Sequence, residues 1–287
     1  MESDRCLKEE INKIEDLRYS VLMSVYYKEK PVWLEESIES ILNQTIKPSE
    51  FVIIKDGKLT DELNEVISKY QMKNLKIFSV YELEQNVGLG PALAYGIEKC
   101  KYDLIIRMDS DDVSDKYRCE KLIRKYCEDT SLDIIGSWES EFERNINNRC
   151  AVHKVPETNH EIYEYMKRRC AILHPTVMYK KEAVLAVGNY QDIKLYEDYD
   201  LFLRMIIERK MKAYNIQETL YHIRVSNEFY KRRGGLEYMN TALKFKKKQY
   251  QKGYISLKDL IISGGGQAIV CMMPNALRKA FYMFFLR

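Results

Sequence analysis

Long apolar runs are what this chain has least of. None approaches the ~20 residues a helix needs to cross a bilayer, so a membrane-spanning protein is not expected. The opening segment, MESDRCLKEEINKIEDL, is polar and mixed in charge, so no secretory leader is expected either. The seven cysteines (6, 100, 119, 127, 150, 170 and 271) are odd in number and scattered, with no C-x-x-C pair. That pattern excludes a disulfide framework and leaves reduced thiols. The four histidines lack the spacing of a zinc site. Internal repeats and low-complexity tracts are absent too. What is present is a 287-residue chain, 46% hydrophobic and 31% charged, as a soluble globular protein with one large domain and an appendage would be.

Charge is unevenly spread. Residues 230–287 hold twelve Lys/Arg against Glu237 and Asp259, a local +10, so the total of +3 leaves −7 for residues 1–229. A basic tail on an acidic body is expected to meet an anionic partner. No aromatic-basic recognition motif supports nucleic acid. Within the tail, Leu277, Phe281 and Phe284 share one helical side, flanked by Arg278, Lys279 and Arg287. They predict an interfacial helix lying on anionic lipid.

The first half alternates β-type runs (20–25, 51–55, 75–81, 102–108, 132–138) with helical patterns, one opened by Pro31 with an apolar stripe of Val32, Leu34, Ile38, Ile41 and Leu42. Such alternation predicts a mostly parallel, Rossmann-like sheet flanked by helices. Ligands of these sheets bind at the carboxyl ends of the strands. There the sequence places Asp56, then 84–88 (EQNVG), then Asp109-Ser110-Asp111-Asp112. Three polar loops on one edge can converge on one ligand.

Asp109 and Asp111, first and third after an apolar strand, are two hard oxygen donors suited to Mg²⁺ or Mn²⁺. Competing readings make Asp112 and Ser114 the cap of a helix starting near Asp115, or make Asp109 the nucleophile of an aspartyl-phosphate phosphatase. An EF-hand is excluded by Val113 at the fifth loop position and Ser114 in place of glycine. A second acidic site, Glu197-Asp198, opens a helical pattern whose core face carries Leu201, Met205 and Ile206. A carboxylate there can act as a general base. His222 on a late strand is a candidate third metal ligand, His174 a candidate on the acceptor side, and Arg107 a partner for Asp109 or for a diphosphate.

Together the stretches SVLMSVYYKE, VIIKDGKLTDEL, QNVGLGPALAYGI, RMDSDD, HPTVMYKKEAV and YEDYDLFLRM resemble family 2 glycosyltransferases of the GT-A fold, particularly bacterial enzymes of the amylovoran and O-antigen type. The tail strings YKRRGG and PNALRKAFYMFFLR resemble the same subgroup. The resemblance implies a catalytic domain over 1–225, with a lead-in helix over 1–18, and a basic helical membrane-associating tail over 226–287. It implies an inverting transfer of a hexose or N-acetylhexosamine from a nucleotide-diphosphate sugar, UDP-linked, to a hydroxyl of a polyprenyl-diphosphate-linked or growing glycan at the cytoplasmic membrane face. By position, Asp56, Asn86, Gly88, Arg107 and Glu197 would contact the donor. Asp109 and Asp111 would hold donor and Mn²⁺ or Mg²⁺, and Asp198 would be the base. A catalytically inactive sugar-nucleotide binding module is the non-enzymatic alternative. Relatives often carry D-D-G-S after the second strand, where this chain has Lys55-Asp56-Gly57-Lys58.

Overall fold

The first strand, β1 (Tyr19–Val25), is buried along nearly its whole length, as a strand covered on both faces must be. The computed structural model describes residues 17–226 and 233–285. Alternate residues of β1 enter two different cores. Val21, Met23 and Val25 pack on one side of the sheet and Leu22 on the other. The neighbouring strands β2 (Glu50–Lys55) and β4 (Leu104–Met108) divide in the same way, since side chains of a strand alternate between faces.

The helices between them follow local rules. Helix α1 (Pro31–Leu42) has Pro31 in its first turn and buries Leu34, Ile38 and Ile41. Val32, expected in that stripe, is exposed. Helix α2 (Asp61–Lys73) is capped by Thr60, whose side chain accepts from the Leu63 N–H, and has Asp61 and Glu62 in its first turn. Strand β3 (Phe78–Glu82) begins three residues later than expected, because residues 75–77 form a turn with Leu75 exposed. Helix α3 (Leu89–Lys99) follows Gly88.

The order β3-β2-β1-β4 is all parallel, which puts the strand ends carrying Asp56, Asn86 and Asp109 on one edge. The helix expected near Asp115 forms as α4 (Arg118–Glu128), three residues later and without a side-chain cap, and before it β5 (Val113–Ser114) pairs with a distant strand. Asp112 and Ser114 therefore do not cap a helix. Asp112 is buried and its Oδ1 accepts the Arg224 N–H at 2.7 Å.

The second half closes the sheet. Strand β6 (Ile134–Phe142) forms a hairpin with β7 (Arg149–His153). Helix α5 (Asn159–Met166) opens with a capping box of Thr158 and Glu161. A 3₁₀ turn (His174–Thr176) leads to β8 (Met178–Lys180), which enters antiparallel between β4 and β6. After α6 (Lys181–Ala186) comes α7 (Glu197–Leu203), continued by a π-turn (Arg204–Glu208), and then β9 (Ala213–Arg224), parallel to β6.

Helices α8 (Leu236–Gln251), α9 (Leu257–Met272) and α10 (Asn275–Phe285) form the C-terminal part. Phe245 of α8 belongs to the same core as Leu22 and Leu201. Arg278, expected beside lipid, is buried, and its guanidinium lies where a side chain on Gly234 would fall. The lead-in over 1–16, the string 230–232, and the side chains of Lys279, Phe284 and Arg287 lie outside the described residues. Among the described residues no helix is long and apolar enough to cross a membrane.

Candidate active site

Asp56 leaves the end of β2 almost fully buried, so its carboxylate must be satisfied within the protein. It accepts from Asn86 Nδ2 at 2.9 Å, the Val87 N–H at 2.7 Å and the Gly88 N–H at 3.1 Å. It therefore fixes the loop after β3. Gly57 is needed beside it. Its φ is +81°, and a Cβ there would lie 2.6 Å from the Asn86 nitrogen. Asp56, Asn86 and Gly88 line one cavity of about 700 Å³, with Trp33, Lys28 and Lys30 from the loop and helix after β1.

Asp109 and Asp111 lie on the rim where that cavity meets a second one of about 490 Å³. Arg107, fully buried, forks both its terminal nitrogens onto the Asp109 carboxylate. Of the two roles expected for Arg107, pairing with Asp109 is the one seen. The Asp109 backbone is held as well: its N–H donates to Tyr221 Oη at 3.1 Å, and its carbonyl accepts from Ser37 Oγ at 2.5 Å. Burial, then the charges of Asp109 and Glu29, push the Asp111 carboxyl up to about 7. So much like charge around one carboxyl fits a divalent cation, which would relieve it.

His222 is not part of this cluster. Strand alternation sends Tyr221 and Ile223 into one core and turns His222 to the other face, where Nδ1 meets Ser140 Oγ at 2.7 Å. It lines neither cavity, so the expected third metal ligand is not supplied by His222. Among the described residues no three His, Cys, Asp or Glu are grouped to hold an ion. A cation here would take two carboxylates and fill its shell with phosphate and water oxygens.

Asp198 lines the second cavity, at the start of α7. Its Oδ1 accepts the Tyr199 N–H at 2.7 Å, and burial raises its carboxyl above the ordinary range. Glu197 is placed differently. It packs against α3, where a Cβ on Gly90 would touch it at 3.1 Å, and it lines neither cavity. Burial and then Asp198 push its carboxyl up to about 7. His174 is in the wall of the second cavity, its Nε2 2.8 Å from Tyr190 Oη, and burial holds it neutral.

Several lining residues were not anticipated. Arg224 borders both cavities and donates from Nε to the Asp111 carbonyl at 2.9 Å; a basic residue at the carboxyl end of a late strand was the available signal. Glu29, whose Oε2 accepts from Ser110 Oγ at 2.8 Å, could have been found by its place in the loop after β1. Arg233 lies in the YKRRGG string, whose role the sequence did not show; Arg168, Arg169 and Lys246 come from a loop and a helix with no motif signal, and the fold brings all four to one cavity.

Comparison with known proteins gives the same family from several directions. The profile described as glycosyl transferase family 2 matches residues 20–187. The chain is 38% identical over 271 residues to an Escherichia coli UDP-Gal:alpha-D-GlcNAc-diphosphoundecaprenol beta-1,3-galactosyltransferase, covering 94% of this chain and 97% of that one. It is 31% identical to an Erwinia amylovora amylovoran biosynthesis glycosyltransferase, over 78% of this chain and 83% of the other. A Pyrobaculum calidifontis mannosyltransferase, solved with GDP-Man and Mn²⁺, shares the fold with a TM-score of 0.58 at 14% identity, covering 95% of this chain and 84% of that one. These likenesses leave no room for the phosphatase alternative, which needs Asp109 as a free nucleophile after a first strand; here it follows the fourth strand and both its oxygens are taken by Arg107. A buried parallel sheet, two cavities meeting at an aspartate pair and full-length similarity to sugar transferases make this chain a member of glycosyltransferase family 2, with the GT-A fold.

Proposed function

We propose that this glycosyltransferase is metal-dependent and inverting, and moves a hexose or N-acetylhexosamine from a UDP-sugar to a hydroxyl of a lipid-linked sugar diphosphate. The observation that carries the reading is the meeting of two cavities at Asp109 and Asp111, with Asp198 in the second cavity. The donor occupies the larger cavity, its nucleotide toward Asp56, Asn86 and Gly88. The acceptor occupies the smaller one, with His174 in its wall. The likeness to the Escherichia coli enzyme supports the donor and acceptor classes.

Asp109 and Asp111 would hold Mn²⁺ or Mg²⁺, whose chemistry is to offset negative charge on the leaving diphosphate. The protein's own groups do the rest. Arg107 fixes the Asp109 carboxylate, so the pair keeps one orientation without rearranging. Asp198 accepts the proton of the acceptor hydroxyl as its oxygen forms the bond to the sugar C1. The C1–O bond to the diphosphate breaks on the opposite side, and its electron pair leaves with the nucleotide. One displacement inverts the anomeric centre. Burial lifts Asp198 toward neutrality, which makes it a stronger base than an ordinary carboxylate.

The reading extends to location at an anionic membrane surface. The exposed arc of α9 supports it: Leu257, Ile261, Ile262, Ile269 and Met272 face outward there, with Lys258 as the one charged side chain among them. Leu277 of α10 is exposed beyond it.

Asp198→Asn should lower turnover by on the order of 10²–10⁴ while donor binding stays near normal. Radiolabelled sugar transfer and nucleotide-sugar titration measure the two, and the anomeric coupling of the product reads the stereochemistry. Near-full turnover of the variant would remove Asp198 as base. Absence of transfer by the wild-type enzyme, with donor still bound, would favour an inactive binding module.

A further inference from the structure

The 490 Å³ cavity has two chemically different ends. Toward the donor it carries Asp109 and Asp111, with Arg107 already committed to Asp109. Beyond Asp198 it carries Arg168, Arg169, Arg233 and Lys246. Two of these groups lie near the base: after Arg107, the charge of Arg233 bears on the Asp198 carboxyl, and both Asp198 and Arg169 bear on the Cys170 thiol. So Asp198 shares one cavity with the acidic pair and with these cations.

Those cations are held in place. Arg168 donates from Nε to Asp259 of α9 at 2.7 Å, while Lys246 of α8 reaches the Arg168 carbonyl at 3.3 Å. Lys246 is buried, and burial pulls its ammonium down to about 8. A buried ammonium with a single carbonyl partner gains from an anion nearby. Three elements that are remote in sequence, the loop after α5, the segment before α8 and α8 itself, thus bring four cations to one cavity wall. Nothing in the transfer chemistry at Asp198 uses them.

We propose that Arg168, Arg169, Arg233 and Lys246 form the site for the diphosphate of the acceptor, on the far side of Asp198 from the donor. The assignment rests on the acceptor class given above. A pyranosyl diphosphate presents a ring hydroxyl and an anomeric phosphate at opposite ends of one sugar, which matches a base at one end of a cavity and cations at the other. The guanidinium groups suit phosphate because their parallel N–H donors match two oxygens at once. The site selects acceptors by their diphosphate and sets which hydroxyl reaches Asp198.

The test compares two soluble acceptors in the full-length enzyme, a short-chain alkyl GlcNAc diphosphate and an alkyl GlcNAc glycoside without phosphate. The preference for the diphosphate, as a ratio of kcat/KM values, should fall about tenfold in each of Arg169→Gln and Arg233→Gln, as expected for one lost charge-assisted bond. Arg169→Lys, which keeps the charge but not the fork, should recover part of it. The KM for the UDP-sugar should stay within about twofold, a change near 0.4 kcal/mol. Thermal unfolding of each variant checks that it is folded, and Arg168→Gln supplies a further variant on the same wall. A preserved ratio in the folded variants overturns the assignment while leaving the acceptor class intact. A rise confined to the donor KM also overturns it, because the cations would then serve the nucleotide. Failure of the wild-type enzyme to use any sugar diphosphate would sink the acceptor class and this site together.

Discussion

Glu197 and Asp198 are neighbours in sequence but face different surroundings, and that difference separates their roles. Asp198 opens into the cavity, whereas Glu197 is pressed against α3 at Gly90. Burial and the adjacent Asp198 raise the Glu197 carboxyl to about 7, well above its ordinary range near 4.3. The sign of the linkage follows. A carboxyl raised by folding supports stability at low pH, and that support is lost as pH climbs from about 4 through 7, because ionising it then costs the folded state. Glu197→Gln should therefore raise the melting temperature only slightly at pH 5, where the loss has just begun. At pH 8 it should raise it by a few degrees, on the order of 1–2 kcal/mol once partial solvation is allowed for. Calorimetric scans at the two pH values measure it, and equal shifts at both would show that packing, not charge, governs this residue. Asp56 was legible as a residue because it ends a strand. Its work was not, since the three donors it holds lie about thirty residues away in a loop that only the parallel pairing of β2 and β3 brings alongside.

At the scale of elements, the position of Asp198 depends on how α8 docks. Phe245 stacks on Tyr196, the residue before Glu197, with centroids 4.4 Å apart and planes within 12°, and it also meets Tyr199 at 5.5 Å. Asp200, fully buried, pairs with Arg204 at 2.7 Å and receives Lys252 and Gln249 from α8 and its end at 3.5 and 3.4 Å. A helix expected to belong to a basic membrane-associating tail is thus part of the wall behind the site. Phe245→Ala should cost about 3–4 kcal/mol through lost burial and the cavity left. It should also raise the acceptor KM, because Lys246 moves with it, while Phe245→Leu should be much milder. Denaturant unfolding and acceptor titration read the two effects; full stability in the Ala variant would mean α8 is not anchored there. The strands of the first half were readable because each is an apolar run bounded by polar turns, with a helix between. Strands β5, β7 and β8 were not, being two to five residues long, with β5 and β8 set by distant antiparallel partners. Val113 and Ser114 illustrate it: they resemble a helix start until His222 and Tyr221, more than a hundred residues on, pair with them.

Across the whole molecule, the charge asymmetry and the exposed surface of α9 bear on the same question. The acidic part of the chain holds the proposed nucleotide-sugar site, while residues 230–287 carry +10. Part of that charge faces inward at Arg233 and Lys246, and Arg278 is buried, so the tail cannot be a uniformly solvated basic face. What it shows to solvent includes an apolar arc, with Ile261 65%, Ile269 63% and Met272 62% exposed. An apolar arc with a lysine beside it, on a segment of net positive charge, is suited to the interface of an anionic bilayer, the apolar groups entering the headgroup region and the charges meeting the phosphates. The same helix contributes Gln267 to the proposed acceptor cavity and Asp259 to Arg168, so docking through α9 would bring that cavity to the surface that presents a lipid-linked acceptor. The double variant Ile261→Asp, Ile269→Asp should weaken co-sedimentation with vesicles containing anionic lipid by at least about tenfold, since each isoleucine forfeits a good part of its ~1.5–3 kcal/mol of burial. Binding of the wild-type protein should fall as salt rises, because the basic residues contribute through a screened attraction. Transfer to a short-chain acceptor in solution should persist in the double variant, as neither isoleucine lines a cavity. Vesicle binding as tight as that of the wild type would end the case for α9 as the membrane face, and loss of the soluble reaction would show that the substitutions had instead disturbed the acceptor cavity.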